Sequence, residues 1–127
     1  AYDRLMQDTA ERYYTEEYLR KNKQLLKIVN RTTKPAEPKR AQIIFASCLS
    51  HDALDQLGEI ASPTLVIGAE KDRIVGGEAS RLIAARISNS KLIMYEEYSH
   101  AVYDEAKDFY PRILTWLTEP ERSPVHE

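Results

Sequence analysis

Two short apolar runs constrain this chain more than any other feature: Leu65-Val66-Ile67 within IASPTLVIGAEKD, and Leu92-Ile93-Met94 within KLIMYEE. The first is continuously apolar, as a strand is when helices cover both faces of its sheet, and Pro63 stands at its first position, where a missing N–H donor is tolerated. Between the runs, Ala79, Leu82, Ile83 and Ile87 recur at helical spacing from Glu78 to Ile87. Strand, helix and strand within about 30 residues make a βαβ unit, so the two strands are expected to run parallel with a right-handed crossover.

Up to about Leu57 the signals are helical. Thr15 is the expected N-cap of one helix, with Glu16 and Glu17 at the positive end of its dipole and Tyr18, Leu19, Leu25, Leu26 and Val29 as its apolar stripe. In AEPKRAQIIFASCL, Ala41, Ile44, Phe45, Cys48 and Leu49 fill a helical template, with Pro38 in the first turn. NRTTKPAEP, between these helices, reads as a connector. SHDALDQLG reads as a short helix capped by Asp52 and closed by Gly58. A last helix, beginning near Asp108, carries Ala106, Phe109, Tyr110, Ile113, Leu114 and Leu117 on one face, and the tail TEPERSPVHE reads as disordered.

Composition narrows the function classes. The 127 residues are enough for one compact unit, and a net charge of -2 with 30% charged residues gives no general attraction for phosphate backbones, so no nucleic acid partner is expected. No apolar run approaches the roughly 20 residues that a membrane span needs. The single cysteine, Cys48, makes neither an internal disulfide nor a metal cluster, and a cytoplasmic setting is expected. No His, Cys, Asp or Glu set has metal-ligand spacing, and no cofactor is implied. The opening AYDRLMQDTAERYY has no initiator Met, basic start or apolar signal core, which reads as a piece of a longer protein.

A parallel βαβ unit brings the C-terminal ends of both strands to one rim, where open α/β sheets place ligands. Asp72 follows the first strand and His100 the second, so the two can come within hydrogen-bond reach if the strands are neighbours. A carboxylate so placed would hold one imidazole nitrogen as N–H and leave the other free to accept a proton from a nucleophile. Each residue alone is better explained as a turn-former or a locally satisfied side chain. Their joint placement is what points to acid–base chemistry.

SPTLVIGAEKDRIV, then KLIMYEEYSHAVYDEAKDF and YPRILTWL, resemble the C-terminal third of an α/β-hydrolase, with the likeness running from about Ser50 to Leu117. The resemblance implies that Asp72 is the triad acid, that His100 is the triad base and that the helices before Ser50 belong to a cap over the site. The implied fold is α/β: helical cap and connecting helices at 1–57, the C-terminal part of the hydrolase core at 58–118 with its parallel βαβ unit and C-terminal helix, and a tail at 119–127. It is a partial α/β-hydrolase fold.

In that family the nucleophile sits on a G-x-S-x-G elbow ahead of the acid and base. The four glycines here are Gly58, Gly68, Gly76 and Gly77, and no pair brackets a serine at that spacing. The elbow is therefore expected before Ala1. Cys48 has the right order in the chain but lies on the apolar face of its helix, where a free cysteine normally serves as a small hydrophobe. Asp52 reads as a cap, His51 as a surface or cap–core contact, and His126 lies in the tail. Glu96, Glu97, Asp104 and Glu105 read as solvated surface, one of which could tune His100. The eight tyrosines either pack the cap or line an apolar pocket, and general burial tendencies favour packing.

The expected function is that of a hydrolase fragment, inactive alone, whose parent cleaves an ester or related acyl substrate. The alternatives are a noncatalytic binding or regulatory module, and a dehalogenase or epoxide hydrolase with an aspartate nucleophile. Two strands leave unpaired sheet edges, so self-association or pairing with the missing N-terminal part is expected as well.

Overall fold

The computed structural model describes residues 2–32 and 38–119. Most of the expected connector and all of the expected tail TEPERSPVHE but Thr118 and Glu119 lie outside the described residues. The elements run α1 (Tyr2–Tyr13), α2 (Glu16–Thr32), α3 (Pro38–Ser50), a 3-10 turn (Leu54–Glu59), β1 (Thr64–Ala69), α4 (Gly77–Arg86), β2 (Ser90–Tyr95), α5 (Val102–Glu105) and α6 (Phe109–Thr118).

β1 and β2 pair in parallel, from Thr64 opposite Ser90 to Ala69 opposite Tyr95. The fold is α/β, as the strand–helix–strand pattern implies. Gly68 sets how closely α4 lies on the sheet: a Cβ there would come within 2.5 Å of Ser80 Cβ and 2.7 Å of Met94 Sδ. Gly76, at φ 83°, takes the left-handed turn that starts α4, a conformation glycine adopts without penalty.

The core sits at the C-terminal ends of the strands. Ala69, Tyr95, Val102 and Ala106 are buried there, with Ile67, Ile93, Tyr98 and Phe109 packed around them. Arg112 lies over the Tyr95 ring, 5.1 Å from its centroid, and its Nε donates to Asp108 at 2.6 Å. The loops after both strands therefore rest on packed side chains.

The N-cap expected at Thr15 is present, with Tyr18 N donating to Thr15 Oγ1 at 3.2 Å. α2 bends at Asn22, whose backbone leaves helical geometry while its side-chain amide donates to Tyr18 O at 3.0 Å. α6 starts directly after Asp108, with Pro111 in its first turn.

Several expectations need correction. The segment after Asp52 is a 3-10 turn that contains Gly58 rather than ending on it. Asp52 stands one residue outside the cap position and accepts from Leu54 N at 3.1 Å, because its short side chain closes an Asx turn instead. Pro63 precedes β1 rather than beginning it. Of the run expected to be buried on both faces, Val66 is buried while Leu65 and Ile67 are half-buried, because α4 covers one part of the sheet and leaves its own Leu82 and Ile83 exposed. Cys48 is exposed together with Ile44, Phe45 and Leu49, since nothing among the described residues covers that face of α3.

Candidate functional site

Asp72 and His100 meet across the rim formed by the ends of β1 and β2. His100 Nδ1 and Asp72 Oδ2 are 2.9 Å apart, with the two side chains 26% and 9% exposed. The other Asp72 oxygen accepts from Ile74 N at 2.7 Å and Val75 N at 3.0 Å. Both carboxylate oxygens are thereby fixed by donors. Burial, the largest single influence on this carboxyl, pushes its pKa up, but the His100 hydrogen bond and the two backbone N–H groups together pull it below its ordinary 3.8. An ionised carboxylate has no proton to donate, so the proton in the bond sits on Nδ1. In the neutral imidazole Nε2 is then the accepting nitrogen.

The loops are tied to each other by backbone. Glu70 N donates to Tyr95 O at 2.9 Å and Lys71 N to Tyr98 O at 3.1 Å. These bonds continue the strand pairing past the ends of β1 and β2 and carry it almost to the two side chains.

The end of α1 is seated on the same loops. A helix leaves its last carbonyls without intrahelical donors, and here those of Glu11, Arg12 and Tyr13 are taken by the Arg73 guanidinium, by Ser99 Oγ at 2.9 Å and by Ala101 N at 2.9 Å. The Tyr13 ring stands edge-on to the imidazole, with centroids 4.7 Å apart. Glu105 receives Thr15 N at 3.0 Å and the Thr15 hydroxyl, and Asp104 receives the Tyr14 hydroxyl at 3.0 Å. Burial first, and then this bond to Asp104, push the Tyr14 phenol well above its usual range, so it remains a donor. Asp104 and Glu105 are thus anchors for the α1–α2 corner; Asp104 is exposed, as its reading as solvated surface expects, while Glu105 is half-buried, which corrects that reading for Glu105. Glu96 and Glu97 are exposed, Glu97 pairing with Lys71.

An open cleft of about 1070 Å³ lies between the α1–α2 corner and the rim, and it reaches Asp72. Its walls include the stacked rings of Tyr14 and Tyr18, Tyr98, and the charged Lys71, Arg73 and Asp108. His100 is not among its lining residues, so the cleft approaches the pair from the side of the acid. Of the tyrosines, Tyr95 packs the core, Tyr14 and Tyr18 line the cleft, and Tyr98 does both.

The remaining sequence candidates stay apart from the pair. His51 is exposed, and His126 lies outside the described residues. Among the described residues, no group of three or more His, Cys, Asp or Glu is placed to hold a metal ion, and no helix is long and apolar enough to cross a membrane. Sequence reasoning missed Tyr13, Arg73 and Ser99. Arg73, adjacent to Asp72, and Ser99, adjacent to His100, had a positional signal, and Tyr13 had none.

The esterase EaEST from Exiguobacterium antarcticum matches the fold of this chain with a TM-score of 0.67 at 21% identity, over 90% of this chain and 42% of the esterase. The chain has a partial α/β-hydrolase fold. Two curated proteins match the hydrolase-fold chain in sequence. A proline iminopeptidase from Thermoplasma volcanium is 37% identical over 68 residues, 54% of this chain and 23% of the relative. A 2-hydroxy-6-oxononadienedioate/2-hydroxy-6-oxononatrienedioate hydrolase from Klebsiella pneumoniae is 35% identical over 63 residues, 49% of this chain and 22% of the relative. The chain thus spans less than a quarter of either relative's length. No family model matches it.

Proposed function

We propose that Asp72 and His100 are the acid and base of a nucleophile–His–Asp hydrolase acting on an ester or related acyl substrate. The nucleophile would come from outside these 127 residues. The observation that carries this reading is the 2.9 Å bond from His100 Nδ1 to an Asp72 carboxylate whose second oxygen is held by two backbone N–H groups. In the parent, Nε2 takes the nucleophile's proton as the carbonyl is attacked and then delivers it to the leaving group. Asp72 keeps the ring oriented and stabilises the imidazolium between those two transfers. The relatives' names, a peptidase, an esterase and a hydrolase of a dienedioate, share hydrolysis, which supports the reaction class.

The 127-residue chain by itself is expected to lack turnover. In the full-length parent, Asp72→Ala and His100→Ala should each lower kcat by about four orders of magnitude, with KM little changed. Near-normal turnover in both variants would overturn the assignment.

The parent's sequence upstream of Ala1 separates this reading from a second one. If the parent gene carries no nucleophile elbow upstream, the pair is structural and the chain is a noncatalytic module. An aspartate at the elbow would instead indicate dehalogenase or epoxide hydrolase chemistry.

A further inference from the structure

We propose that Ser99 is the positioning residue that sets the geometry of the Asp72–His100 pair, by joining the histidine loop to both the acid loop and the end of α1. This rests on the acid–base reading above. Ser99 is 3% exposed, and its hydroxyl lies 2.9 Å from Arg12 O and 3.2 Å from Lys71 O. Each acceptor belongs to a piece that bears directly on the pair.

Lys71 precedes Asp72 as Ser99 precedes His100. The Lys71 backbone is held on both sides of its Cα, its N–H donating to Tyr98 O at 3.1 Å and its carbonyl facing Ser99 Oγ. That double tie sets the step into Asp72 against the step into His100. Arg12 O lies one residue before Tyr13, whose ring stands edge-on to the imidazole and whose carbonyl accepts from Ala101 N. Residues 99 and 101 therefore grip the end of α1 on either side of the histidine, and Ala101 is 0% exposed.

A serine hydroxyl has one proton to give. The shorter contact, to Arg12 O, takes it, and Lys71 O receives the weaker branch. Loss of the hydroxyl would take the donor from Arg12 O and the weaker branch from Lys71 O, both where the histidine loop meets its neighbours. The same bonds explain why Ser99 does not act as a nucleophile: its hydroxyl is spent on backbone carbonyls and makes no bond to His100 among the described residues.

NMR of the full 127-residue chain tests this. In the unsubstituted chain the Ser99 hydroxyl proton should exchange slowly enough to be observed, and exchange at the rate of a surface hydroxyl would overturn the proposal. Ser99→Thr and Ser99→Val add the same bulk and differ only in the hydroxyl. The His100 Nδ1 proton should exchange within about threefold of the unsubstituted rate in Ser99→Thr and about tenfold faster in Ser99→Val, with Tyr13–His100 ring contacts weakened only in the latter. Equal rates in the two variants would overturn the proposal, and Ser99→Ala takes the place of Ser99→Val if the latter does not fold. Neither readout involves turnover. Failure here would leave the hydrolase reading to be decided by the Asp72 and His100 variants of the parent.

Discussion

Asp72 is a residue whose protonation the fold controls through named donors. Its carboxyl titrates below the ordinary 3.8 in the folded chain because the donors on both oxygens outweigh its burial. A group with a lowered folded pKa adds stability that is complete above its unfolded value and is lost as pH falls through the folded one. Stability should therefore drop as pH falls below about 4, and Asp72→Asn should flatten that part of the profile. Urea midpoints measured from neutral pH down into this range check it, and identical acid limbs in both proteins would contradict it. At this scale the sequence was legible where strand ends declared themselves: Asp72 and His100 each follow an apolar run. Tyr13 was not legible, since nothing in YY beside an N-cap threonine indicates a ring against a histidine 87 residues away.

At the scale of elements, close approach matters more than propensity. Gly68 lets α4 lie against β1, and Gly68→Ala would force its methyl into Ser80 and Met94. The expected cost is about 1–3 kcal/mol in denaturant unfolding, the usual penalty for overpacking. The α1–α2 corner depends on Thr15 twice: it caps α2 through Tyr18 N, and its hydroxyl and N–H engage Glu105. Thr15→Ala should cost about 1–2 kcal/mol and loosen the corner from α5, readable as faster amide exchange at Thr15 and Tyr18. Unchanged exchange would show that the corner is held without the Thr15 hydroxyl, by the α1 carbonyls, the residue 15 N–H to Glu105 and the Tyr14–Asp104 bond. The helices were legible from their apolar spacing, and Thr15 from the acidic pair behind it. The 3-10 turn was not, because a single Asx turn at Asp52 decides between it and an α-helical start.

The whole molecule leaves much apolar surface open. Ile44, Phe45 and Leu49 of α3, Leu25 and Ile28 of α2, and Tyr110, Leu114 and Leu117 of α6 are exposed, with Leu49 at 91%, and among the described residues β1 pairs only with β2. Apolar faces of this extent and open sheet edges favour association. The 127-residue chain should self-associate at high concentration in light scattering, and Phe45→Glu with Leu49→Glu should shift it toward monomer; a clean monomer without substitution would contradict this. Sequence by itself determined what is local: the period of each helix, the continuous apolar runs of the strands, their parallel pairing through a short crossover, and the appearance of Asp72 and His100 at one rim. Only the tertiary structure decided which apolar faces are covered, that the last carbonyls of α1 find their donors on the acid and histidine loops, and that Ser99 joins all three. Periodicity records which face a helix offers, whereas burial and contacts spanning 87 residues depend on what the folded chain brings against that face.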